Sequence, residues 1–93
     1  MAYEALQKSM AGKRPENIDG FTPEQRFFLG WAQVWASKVR PEFARLITQT
    51  DPHPLGPFRV NGPLSNMPQF AAAFNCKAGD PMVRPEKDRC QVW

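Results

Sequence analysis

His53 is the single histidine of the chain, and it lies between Asp51 and Arg59 in a stretch dense in proline and glycine. Metal chemistry is the first use to test for such an imidazole. A zinc site needs several His, Cys or acidic donors at ligand spacing. This chain has one His and two cysteines, Cys76 and Cys90, with neither C-x-x-C nor H-x-x-x-H spacing. It therefore holds no convincing zinc site of its own. The two cysteines could close one disulfide across a Pro- and Gly-containing loop, or each could pair with a cysteine outside the chain. On spacing alone His53 is an exposed loop histidine, Arg59 a solvated surface charge and Asp51 a turn-capping aspartate.

The elements that must position these groups read as helices. Residues 2–11 place Ala2, Ala5, Leu6 and Met10 at helical spacing, with Gly12 as a stop. Residues 12–21 are a loop rich in Gly, Pro, Asn and Asp. The strongest helix signal starts at Thr22, an N-cap followed by Pro23 at the first helical position and Gln25 completing a T-x-x-Q capping box. Glu24 puts negative charge at the positive end of the dipole. This helix is expected to run through Val39 and to stop at Pro41. It is apolar nearly all round (Phe27, Phe28, Leu29, Trp31, Ala32, Val34, Trp35, Val39), which is the pattern of a helix buried on most sides. So short a chain has little material to surround it, and something else must cover it.

A third helix starts at Pro41 and carries Phe43, Ala44, Leu46 and Ile47. Residues 50–64 hold four prolines and two glycines and read as irregular, ordered only by tertiary contacts. A fourth helix is expected at 67–75, with Asn66 as N-cap and Met67, Phe70, Ala71 and Phe74 as its apolar face. Residues 76–93 read as an irregular tail with an apolar end, Val92-Trp93. The fold class is all-α, with about four short helices and long irregular Pro-rich segments.

Composition narrows the function. Apolar residues are 42% and charged residues 23%, which excludes a collagen and an acidic disordered tail. Ten prolines in 93 residues is roughly twice ordinary usage and excludes a long coiled coil. The net charge of +3 is scattered and mixed in sign, so no nucleic-acid partner is expected. No targeting segment is visible at the N-terminus, and the longest apolar stretch, 27–36, is far short of the roughly 20 residues a membrane helix needs.

Three segments carry a resemblance. They are Ala32-Gln33-Val34-Trp35, Thr50-Asp51-Pro52-His53 followed by Phe58-Arg59-Val60, and the closing Cys90-Gln91-Val92-Trp93. Together they resemble the C-terminal end of the neprilysin family of zinc metalloendopeptidases, and the match extends back to Ala2-Tyr3. The resemblance implies a large, mostly α-helical, two-lobed peptidase with zinc between the lobes, of which residues 1–93 are a single incomplete domain. An H-E-x-x-H helix and a later E-x-x-x-D helix supply that zinc site in the family, and neither motif is present here. Zinc is thus expected in the larger protein and none in this chain alone, which is expected to be inactive by itself. The start at Met1 within a mid-family sequence reads as an imposed one, as in a proteolytic piece or a truncated reading frame.

By the same resemblance His53 stabilises the oxyanion of the tetrahedral intermediate, with Asp51 as an orienting partner. Arg59 binds the substrate's backbone carbonyl on the leaving-group side. Val34 and Trp35 line the apolar pocket for the residue after the scissile bond. Cys76 and Cys90 would pair with cysteines elsewhere in the protein, which places the larger enzyme outside the cytoplasm, as a periplasmic, secreted or membrane-anchored form. The implied partners are a peptide substrate and the remainder of the peptidase chain, with self-association through the apolar helix 22–39 when that remainder is missing. A second reading, from a different class, is a stand-alone module of this family that binds an extended peptide without cutting it.

Overall fold

A computed structural model describes residues 1–91; the apolar end Val92-Trp93 lies outside the described residues. The described residues form five α-helices: α1 (Ala2–Met10), α2 (Pro23–Val34), α3 (Pro41–Thr50), α4 (Gly56–Ser65) and α5 (Pro68–Ala73). A short 3₁₀ helix follows at Glu86–Asp88. The class is all-α, and the only strand-like pairing among the described residues is the single bridge between Ile18 and Phe21. Asp19 and Gly20 both take positive φ between them, the tight turn that Asp-Gly favours.

The start of α2 forms as its residues dictate. Thr22 Oγ1 accepts from the Gln25 backbone N–H at 3.2 Å, and the Thr22 backbone N–H donates to Gln25 Oε1 at 3.0 Å. The other end of the Gln25 amide donates to the Ala73 carbonyl at 2.9 Å, so the cap also fastens α2 to the end of α5. Arg26 donates to the carbonyls of Glu16 and Phe21 and draws the preceding loop onto the helix.

Three expected boundaries are corrected. Helix α2 ends at Val34 rather than Val39. Its last turn tightens, the Trp35 backbone N–H donating to the Ala32 carbonyl at 3.2 Å and the Ala36 N–H to the Gln33 carbonyl at 3.3 Å, and the Trp35 carbonyl faces Gly56 at the start of α4. The stretch expected to be irregular contains α4, despite Pro57 and Pro63. Pro57 occupies the first turn, where its missing N–H has no intrahelical partner to lose. Helix α4 packs against α2 and α5 with Leu64 only 5% exposed, and that burial supplies what propensity lacks. Asn66 caps the end of α4 instead of starting the next helix, whose N-cap is Met67. The Asn66 side chain pairs with the backbone of Cys90 in both directions, at 2.6 and 2.8 Å, and ties the tail down.

Helices α2, α4 and α5 pack against one another. At their centre Phe28 is 1% exposed. Its ring stacks on Tyr3 of α1 at 5.3 Å and meets Phe27 and Phe70 edge-on at 5.3 and 5.4 Å. Burial there pushes the Tyr3 phenol above its ordinary range, and the nearby Glu24 charge adds to the shift.

The molecule is extended for its size. Its radius of gyration is 15.6 Å, against about 12 Å for a compact chain of this length. It exposes 7591 Å², roughly 2,000 Å² more than a compact monomer of this mass. Much of the apolar surface is on α2 and α3, where Val34 is 69% and Phe43 55% exposed, with Leu29, Trp31 and Leu46 also open. The helix read as buried on most sides is thus covered on one side only. No helix among the described residues is long and apolar enough to cross a membrane.

Candidate active site

Helix α3 delivers the candidate residues. It ends at Asp51, whose backbone N–H donates to the Ile47 carbonyl at 2.8 Å. The chain then turns through Pro52. Asp51 Oδ1 accepts from the His53 backbone N–H at 2.8 Å and lies 2.7 Å from His53 Nδ1. One carboxylate oxygen therefore closes the turn and holds the ring, so turn-capping and ring-orienting coincide in Asp51. His53, first through its backbone N–H and then through its ring, holds the Asp51 carboxyl below the usual carboxylate range. With Nδ1–H donating to Asp51, Nε2 is the free edge of the imidazole. The pair is open, the side chains of His53 and Asp51 being 64% and 45% exposed.

Arg59 sits in the first turns of α4. Its Nε donates to the Pro54 carbonyl at 3.1 Å, which links the helix back to the His53 turn. Its guanidinium carbon lies 4.3 Å from the centre of the Trp35 ring, a cation–π contact. Neither terminal nitrogen of Arg59 is bonded among the described residues. The indole N–H of Trp35 is enclosed there without an acceptor.

A cavity of about 590 Å³ opens between α3, α4 and the segment after α2. Trp35, Val39, Phe43, Ile47, Asp51 and Arg59 are among its lining residues. Three candidate residues, Trp35, Asp51 and Arg59, thus face one space, and His53 joins it through its bond to Asp51. Val34 does not line it. Another hollow, about 620 Å³ between α1, the start of α2 and the intervening loop, holds none of the candidate residues. The stack of Arg59 on Trp35 and the lining role of Phe43 and Ile47 are additions that the sequence reading lacked. The amphipathic spacing of Phe43 and Ile47 on α3 was the available signal.

Cys76 and Cys90 are free thiols, and no disulfide joins them. Each is fixed by a different support. Cys76 donates its backbone N–H to Ala71 beyond the end of α5, and Cys90 is clamped by Asn66. Of the two pairings left open by spacing, the bond between Cys76 and Cys90 themselves is the one not formed. Among the described residues no three His, Cys, Asp or Glu side chains group in a way that could hold a metal ion. His53 and Asp51 alone are too few donors, so the residues present do not fit a zinc site.

Residues 1–91 match the model of peptidase family M13. The chain is 45% identical to neprilysin-1 of Caenorhabditis elegans and 49% identical to human endothelin-converting enzyme 1, in each case over 99% of this chain and 12% of the relative. It is 44% identical to human membrane metallo-endopeptidase-like 1 over the same shares. The cryo-EM structure of the Mycobacterium tuberculosis zinc metalloprotease Zmp1 in its open state superposes with a TM-score of 0.88 at 37% identity, covering 96% of this chain and 14% of that one. The chain thus spans about an eighth of the length of the relatives it matches, and it belongs to peptidase family M13.

Proposed function

We propose that this chain is the C-terminal, substrate-facing portion of an M13 metalloendopeptidase, one incomplete domain that acts only with the rest of the enzyme around it. The observation that carries the reading is the convergence of Asp51, Arg59 and Trp35 on one cavity, with the His53 ring bonded to Asp51. In this reading Asp51 keeps the His53 Nδ1–H occupied. Protonation at Nε2 then makes that edge a donor aimed outward, where negative charge develops on the substrate oxygen. One such donor lowers a barrier by about 3–4 kcal/mol. Arg59 has both terminal nitrogens available to bind a peptide carbonyl in a planar fork. Trp35 offers apolar surface in that cavity to the residue after the scissile bond, and Val34, outside the cavity, is assigned to the same role on the family resemblance alone.

The described residues offer no group of three donors for the family's zinc, and in this reading its ligands and the general base come from another part of the enzyme. The excess exposed area of roughly 2,000 Å² is more than the ~800 Å² that each partner buries in a standard stable interface. The rest of the peptidase is the occupant that would cover it, and the isolated chain is expected to self-associate through α2 instead. One relative's name places that protein at a membrane, and an extracytoplasmic site is proposed for the complete enzyme here.

The test is complementation. Purified chain is mixed with the upstream portion of a family relative, zinc is added, and hydrolysis of a fluorogenic peptide is followed. Neither piece should cleave alone, and the mixture should. His53→Ala in the mixture should lower kcat about 10²–10³-fold, with a much smaller change in KM. Unchanged kcat in that variant would remove His53 from the mechanism.

A further inference from the structure

Gly56 opens α4 one helical turn before Arg59 and on the same side of the helix. A Cβ at Gly56 would lie 2.7 Å from the Trp35 carbonyl oxygen. That distance is shorter than side-chain carbons tolerate, and the obstructing atom is backbone, which cannot swing aside. Trp35 therefore meets α4 twice, its carbonyl against Gly56 and its ring under the Arg59 guanidinium. The Arg59 Nε bond to Pro54 ties the same turn to the segment carrying His53. Gly62, in the same helix, has no atom within 4 Å of a built Cβ.

We infer that Gly56 is a positioning residue. Its missing side chain lets α4 close on the Trp35 carbonyl, and that closure seats the Arg59 guanidinium on the Trp35 ring at the cavity. The inference rests on the proposed substrate-binding role of Arg59. A side chain at position 56 lifts the first turn of α4 away from Trp35 and takes Arg59 off its ring. Arg59 then recovers the freedom of a long side chain, and binding peptide costs more conformational entropy.

The experiment uses a family peptidase whose corresponding segment is replaced by residues 1–93, and peptide kinetics of four variants. Gly56→Ala should raise KM about tenfold with kcat within about twofold, the size of one weakened charge-assisted contact. Gly62→Ala should change neither. Arg59→Met should raise KM at least as much. In the Arg59→Met background Gly56→Ala should add nothing, because both act on one contact. A Gly56→Ala effect that adds in full to Arg59→Met, or that is absent, overturns the inference.

A second measurement separates this from the role of Arg59 itself. In the 93-residue chain the Arg59 δ-protons should be shifted upfield by the Trp35 ring current. Trp35→Leu and Gly56→Ala should each return them to ordinary values, and Gly62→Ala should not. Upfield protons retained in Gly56→Ala overturn the positioning of Arg59 by Gly56, whatever the kinetics. If Arg59→Met leaves KM unchanged, the proposed function loses Arg59. Loss of the ring-current shift in Gly56→Ala would still support the positioning contact.

Discussion

The two ends of this molecule treat their apolar residues differently. Around Phe28, helices α2, α4 and α5 with Tyr3 of α1 close a small core of stacked and edge-on rings. Around His53, helix α3 buries no residue fully, leaves Phe43 and Leu46 open to solvent and ends in an exposed turn. The first region supplies its own stability. The second carries the candidate chemistry and joins the first through Gly56, Trp35 and Arg59. A scaffold that is complete on one side and a chemical limb bare on the other is the form expected of a piece whose second wall belongs to the rest of the enzyme.

The largest expected effect breaks the scaffold. Phe28→Ala removes a ring touched on several sides and should cost about 3–5 kcal/mol. Phe43→Ala, on the bare face, should change stability of the isolated chain by less than about 0.5 kcal/mol. Urea unfolding followed by circular dichroism measures both. Similar losses in the two variants would erase the distinction between the regions.

A smaller effect sharpens it. Thr22→Ala deletes one half of the capping box at the start of α2 and should cost about 1 kcal/mol. The loss belongs to the scaffold, so the His53 turn should keep its geometry, seen as unchanged His53 ring chemical shifts.

The smallest effect concerns the limb alone. The Asp51 carboxyl is held below its ordinary value by His53. A depressed carboxyl favours the folded turn above the unfolded value of about 3.9 and loses that preference as pH falls through the folded value. Acidification from pH 5 should therefore free the His53 ring while the Phe28 cluster stays intact. The nitrogen shift of His53 Nδ1, compared with the ring protons of Phe28, reports the two separately. Simultaneous loss of both would mean that the turn and the core melt as one unit.

What could be read from the sequence follows the range of the interactions. The capping box of Thr22 and Gln25 spans one turn, so Thr22, Pro23 and Gln25 declare it locally. The turn cap that Asp51 gives to the His53 backbone N–H is equally local, but its bond to the His53 ring needs the geometry of the turn, which spacing alone does not supply. Helix α4 is different. Its prolines and glycines argue for a loop, and its packing against α2 and α5, with Leu64 buried, favours the helix. The early end of α2 lies where the Trp35 carbonyl meets Gly56, a residue of α4 that the α2 segment does not contain. Asn66 has the residue type of an N-cap but is used by Cys90, far along the chain. The stack of Arg59 on Trp35 needs both α4 and the end of α2 in place, and nothing in either segment alone announces it. The family resemblance named the candidate residues, and the structure adds how they are held.

The central claim is that the limb bearing His53 is incomplete without the rest of the peptidase. Amide hydrogen exchange tests it most directly, measured on the chain alone and again with the upstream portion of a relative added. Amides of α3 and the 51–55 turn should exchange rapidly alone and slow at least about tenfold on addition, while those around Phe28 in α2 should change little. Protection of α3 equal to that of α2 in the isolated chain would contradict the account.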